Sequence, residues 1–145
     1  MRLVIDTNIW ISGLLWRGMS HELLRLAEKG QVTLCLTADT LAELSRVLGY
    51  QRLQPRLKQL GLLPADLITY VLTLTTLFEP VETESGPLVA ADPDDDIFLH
   101  CALAAQAVYI VSGDQHLLAL GEYRRIPIIT IRDFLSREFS TLVIE

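Results

Sequence analysis

What the chain lacks narrows its class before any motif is read. It has two cysteines, Cys35 and Cys101, each inside an apolar run and without the close spacing of a metal knuckle or a redox motif. They read as buried, reduced thiols of a cytoplasmic protein. Long hydrophobic runs are missing too: the uncharged apolar stretch Leu67 to Phe78 has twelve residues, well short of the roughly 20 that a spanning helix requires. That stretch reads as a core or interface helix, and no membrane association is expected. A carboxylate at the sixth position leaves no secretory h-region. There is no low-complexity tract, no repeat and no long charge block, which excludes disorder and solenoid architectures. Positive charge is scarce, with 12 Lys and Arg against 18 Asp and Glu for a net charge of −6. That balance argues against nonspecific anchoring to DNA or to an anionic membrane, and leaves room for a local basic patch.

What is present is a chain of 145 residues, 50% hydrophobic, long enough to bury most of its surface as one domain spanning residues 1–145. Residues 2–6, "RLVID", form a short apolar run ending in a carboxylate, as strands buried on both faces do. "SHELLRLAEKG" follows as an amphipathic helix with Ser20 as N-cap and Gly30 as stop. "VTLCL" reads as a strand and "TADTLAELSRVLG" as a helix. Two more helices are expected between Tyr50 and Phe78, broken at Gly61 and restarted at Pro64, a residue favoured at the first helical position. A weak strand is expected at "FEPVE". Asp95 to Gln106 reads as a helix, "AVYIV" as a strand, "DQHLLAL" as a short helix, "IPIITI" as the last strand and "RDFLSREF" as a closing helix, with "TLVIE" as a possible added edge strand. Alternation of this kind implies a three-layer α/β/α sandwich around a mainly parallel sheet of four or five strands.

In such a sheet, strand ends and helix starts share one edge, and open α/β folds bind ligands there. Asp6 closes the first strand, Asp114 follows "YIVSG", Glu43 lies early in the second helix, and Asp96 opens the helix after "DPDDD". Carboxylates gathered this way repel one another unless a cation sits among them. A hard divalent ion, Mg²⁺ or Mn²⁺, suits a site of acids with no Cys or His at ligand spacing. Phosphodiester hydrolysis is the chemistry that uses such a site.

The segments "VIDTNIWIS", "LAELSRVL", "DPDDDIFLHCALA" and "YIVSGDQHLL" together resemble the PIN-domain family, in the form of the VapC-like toxins of bacterial and archaeal toxin-antitoxin pairs. The resemblance spans nearly the whole chain. It implies a metal-dependent endoribonuclease with its acids at Asp6, Glu43, Asp96 and Asp114. Thr7 and Asn8 match the polar residues after the first acid, and Ser112 the hydroxyl residue two before the last. It also implies a homodimer, and a small antitoxin that fills the acidic groove with a basic side chain.

Each residue also has a plainer role. Asp6 suits an Asx turn, Glu43 an ion pair with Arg46 three positions on, and Asp114 a helix cap. Asp94 fits a cap for the helix after the cluster, Pro93 holds Asp92 extended, and Asp94 and Asp95 compete with Asp96 in register. His100 reads as a buried hydrogen-bond partner, and His21 and His116 as surface residues. Arg46, Arg52, Arg56 and Lys58 are the candidates for RNA phosphates, without the aromatic interleaving that would suggest base stacking. Two other classes compete. A phosphotransfer fold is disfavoured, because a dehalogenase-like phosphatase expects an aspartate where Asn8 stands, and a receiver expects a late lysine whereas Lys29 and Lys58 both fall early. A noncatalytic PIN-fold RNA-binding or docking module is the alternative that remains.

Overall fold

In the computed structural model, residues 1–80 and 93–140 are described. Among these residues six strands form one sheet in the order β3-β2-β1-β4-β6-β5. β1 (Arg2–Ile5), β2 (Thr33–Leu36), β3 (Thr75–Leu77), β4 (Tyr109–Val111) and β6 (Ile126–Ile129) run parallel. Only the two-residue β5 (Glu122–Tyr123) is antiparallel, at one edge. The strands alternate as a doubly covered sheet requires. Leu3, Ile5, Leu34, Leu36 and Val111 enter one core, while Val4, Cys35, Ile110 and Ile128 enter the other.

The first core is closed by α1 (Thr7–Leu15), α2 (Met19–Glu28), α3 (Ala38–Leu48), α4 (Gln54–Leu60), α5 (Pro64–Leu74) and α8 (Ile131–Glu138). The second is closed by α6 (Asp96–Ala105) and α7 (Gln115–Leu120). The result is the three-layer α/β/α sandwich that the alternation implied, with one short edge strand more than the four or five expected.

Local differences from the sequence reading have physical causes. α1 was not foreseen, because "TNIWISGLL" is apolar on almost every side and carries no amphipathic stripe. It is buried at Ile9, Trp10, Ile11, Gly13 and Leu15. A Cβ on Gly13 would come within 2.8 Å of the Ser20 carbonyl oxygen and 2.9 Å of Leu24, so a glycine is what lets α1 and α2 approach. α2 starts at Met19 behind Gly18, which leaves Ser20 inside the helix instead of at its cap. The helix expected to reach Phe78 ends at Leu74, and Thr75–Leu77 joins β2 as an edge strand. That strand lies ahead of the position expected for it, since the β-branched pair Thr75 and Thr76 suits a pleated edge better than a last helical turn. "TLVIE" and most of the loop before α6, including Asp92, lie outside the described residues.

Candidate active site

Parallel strands bring their carboxyl ends to one edge, and four helices begin there behind a side-chain cap. Asp6 caps α1 by accepting from the Ile9 N–H at 2.9 Å. Thr37 caps α3, Asp114 caps α7, and Thr130 caps α8. Ile5 pairs with Val111 across β1 and β4, so the next residues, Asp6 and Ser112, fall side by side. The fully buried Ser112 hydroxyl donates to Asp6 Oδ2 at 2.5 Å and accepts from the Asp114 N–H at 2.9 Å. Gly113 N–H adds a third bond to Asp6 at 3.2 Å. One hydroxyl thus links the Asp6 carboxylate to the backbone of Asp114.

Asp6 is 4% exposed. Burial raises its pKa; the bonds from Ser112, Ile9 and Gly113 oppose the rise, and the nearby Asp114 charge adds to it. Three donors use three of its roughly four lone-pair positions, which leaves about one free on Oδ1.

Asp6, Thr7, Asn8, Glu43, Asp94, Asp95 and Asp114 line a cavity of about 250 Å³, together with Val47, Tyr50, Arg52 and Phe98. The acids expected at Asp6, Glu43 and Asp114 do meet in one place. Asp96 is not on this cavity's wall; Asp94 and Asp95 are. A 3₁₀ turn, Pro93–Asp95, leads into α6, and Asp95 lies three residues before the cavity-lining Phe98, on the same helical row. Asp96 is rotated about 100° away from that row. The residue flanking the helix start is Asp95 rather than Asp94, and it makes no side-chain cap.

Asp95, Asp114 and His116 each offer a donor atom within 4.8 Å of the others. His116, read as a plain surface residue, is exposed but stands beside the acids, its Nδ1 3.9 Å from Asp114 Oδ1. The sequence signal for it was its position two residues after Asp114, in the first turn of a short helix. His21 does not lie free on the surface either, since its Nδ1 is 3.1 Å from the Gly13 carbonyl.

The donor set suits a hard divalent cation. It is carboxylate oxygen throughout with one imidazole at the rim, and its most buried acid is desolvated beside a like charge. The Thr7 hydroxyl, 8% exposed, is buried in the cavity wall with no hydrogen-bond partner among the described residues. A ligand or its water shell would satisfy that oxygen. Glu43 is already engaged, with Arg46 Nη2 2.8 Å from one of its oxygens and 2.6 Å from the other.

The PIN domain family profile matches residues 2–116. The chain is a PIN domain. No curated protein matches it significantly. Among solved structures, this PIN domain resembles a chain in the crystal structure of VapBC2 from Rickettsia felis bound to a DNA fragment from their promoter. The TM-score is 0.57 at 13% identity, over 88% of this chain and 97% of that one. At that identity the likeness concerns the fold. The acidic cavity of this PIN domain lies at the carboxyl edge of its sheet, and no helix among the described residues is long and apolar enough to cross a membrane.

Proposed function

We propose that this PIN domain is a metal-dependent endoribonuclease that hydrolyses RNA phosphodiester bonds, and that it is the toxin of a toxin-antitoxin pair. The observation that carries the reading is the convergence of five carboxylates, Asp6, Glu43, Asp94, Asp95 and Asp114, on one cavity of about 250 Å³. Asp6, Asp95 and Asp114 are the residues to hold Mg²⁺ or Mn²⁺, with Glu43 lining the same cavity and the exposed His116 beside Asp95 and Asp114. We place Asp95 in this set ahead of Asp96, at the head of α6, because Asp95 lines the cavity. When bound, such an ion polarises the phosphodiester and lowers the pKa of an attacking water.

The protein's own part is positional. Ser112 ties the Asp6 carboxylate to the Asp114 backbone, and each of the two carboxylates caps the start of a helix. Thr7 and Asn8 present a hydroxyl and an amide to whatever enters. Support for a protein partner comes from the VapBC2 complex, whose fold this chain shares. We read an antitoxin and a second copy of this chain as its partners.

One observation favours the noncatalytic alternative, namely that Arg46 already occupies both oxygens of Glu43. The two readings part in a single experiment. Purified protein should cleave RNA with Mn²⁺ or Mg²⁺, lose activity in excess chelator, and lose it again with Asp6→Asn. Cleavage that survives the chelator would remove the mechanism, and no cleavage with any divalent ion would leave the module.

A further inference from the structure

The acidic cavity poses a problem for its own substrate, because in a chain of net charge −6 its carboxylates repel a phosphodiester backbone before any ion has been shared with it. Something nearby must hold the strand. The four basic residues after α3 are candidates by sequence, and the fold separates them. Arg56 is engaged elsewhere: its Nε donates to the Leu15 carbonyl at 2.8 Å, its Nη1 to Gln59 at 3.2 Å, and its guanidinium lies over Trp16. Lys58 lines neither cleft near the acids.

Arg46 and Arg52 differ. Their guanidinium carbons lie 5.4 Å and 5.7 Å from the centroid of one ring, Tyr50, within the range of cation-π attraction. Arg46 also donates to the Tyr50 hydroxyl. Tyr50 and Arg52 line the acidic cavity, and Arg46 lines a second cleft of about 520 Å³. Glu43 and Asp94 line both clefts, so the two adjoin across these acids, with Arg46 on one and Tyr50 and Arg52 on the other. Arg52 is exposed and makes no hydrogen bond or ion pair among the described residues, which leaves its forked donors open.

We propose that Arg46 and Arg52, gathered on Tyr50, form a phosphate clamp that holds single-stranded RNA beside the acidic cavity; this assignment rests on the ribonuclease reading above. Two cations on one ring repel each other, and an anion between them relieves the repulsion. Guanidinium forks match phosphate oxygens in pairs. Arg46 shares its fork with Glu43, so it exchanges a carboxylate for a phosphate when Glu43 turns to another cation. A flexible single strand can lay successive phosphates along such a positively flanked groove.

The test is a fluorescence anisotropy titration of a labelled single-stranded RNA over a salt series, on the full chain carrying Asp6→Asn so that bound strand is not consumed. Arg46→Ala and Arg52→Ala should each weaken binding ~10-fold, the loss of one charge-assisted contact. Each should also flatten the salt slope by about 0.7. Tyr50→Leu should approach the double arginine variant, Tyr50→Phe should keep most of the Arg52 contribution, and Lys58→Ala should change nothing. Arg52→Lys, which keeps the charge and loses the fork, guards against a folding defect, and melts of every variant are run alongside. Unchanged affinity and slope in folded Arg46→Ala and Arg52→Ala overturn the clamp, as does an equal loss in Lys58→Ala. A Mn²⁺-dependent melt and a cleavage assay on the unmodified chain keep the two readings apart. Cleavage without any arginine effect removes only the clamp. An arginine effect without metal-dependent cleavage removes only the nuclease.

Discussion

Asp6 holds the start of α1 and two loop groups with its carboxylate, yet keeps about one acceptor position facing the cavity. That division sets what substitution should do. Asp6→Asn keeps the bond from the Ile9 N–H and removes a desolvated charge, so its melt should stay within about 1 kcal/mol of the parent, while Asp6→Ala should lose the cap and cost ~1–2 kcal/mol. The third acid offers a sharper contrast. Asp95→Asn should abolish the rise in melting temperature produced by millimolar Mn²⁺, and Asp96→Asn should retain it; the reverse pattern would return the ligand to Asp96. Asp6, Glu43 and Asp114 were legible in the sequence because strand ends and helix starts share an edge. Asp95 was not, because one preceding 3₁₀ turn shifts which member of an aspartate run meets the cavity. The thiols give a prediction in pH. Burial pushes Cys35 up to about 11 and Cys101 up to about 12, so the fold favours their protonated forms. The stability this provides is complete below the ordinary thiol pKa and is lost as pH rises through about 11 to 12. Native protein at pH 8 should therefore leave Ellman's reagent unreacted, with both thiols appearing only in denaturant.

Among the elements, the β5–β6 hairpin is the one at odds with its sequence. Tyr123 pairs with Ile126, and the two residues between them, Arg124 and Arg125, both have positive φ, at 47° and 70°. This is the geometry of a type I′ turn, which Asn-Gly favours and arginine does not. Replacing the pair with Asn-Gly should stabilise the chain by about 1 kcal/mol, a rise of roughly 3 °C in Tm at this size. A lower Tm would mean that the arginines make contacts that outweigh their strain. The same conflict explains why β5 escaped the sequence reading, since no turn signal marks it. α1 escaped for the opposite reason: a helix buried all round has no period to detect. α3, α4 and the start of α5 were readable because each carries its own punctuation, at Thr37, Gly61 and Pro64.

At the scale of the molecule, β3 and β5 are the edges of the sheet among the described residues, and Leu77 of β3 is exposed, as are Leu63 and Leu72 at the two ends of α5. Unpaired strand edges and apolar patches of this kind are places where chains associate. Light scattering should give twice the mass of one chain, and Leu72→Glu combined with Leu77→Lys should return it to a single copy. An unchanged mass in that variant would move the contact elsewhere. Fold class was the most legible property of all, because alternating buried strands and helices admit few arrangements, whereas the few exposed leucines are not singled out by periodicity.

The four helix starts along the carboxyl edge also bear on how such a protein would age. At two of them, Thr37 and Thr130, a neutral hydroxyl does the capping; at the other two, Asp6 and Asp114, a charged group does it. Descendants released from selection for chemistry should therefore drift at those two aspartates toward serine, threonine or asparagine, and only rarely toward alanine. A silent copy could then keep its shape, and with it any surface a partner recognises, long after its reactivity had gone.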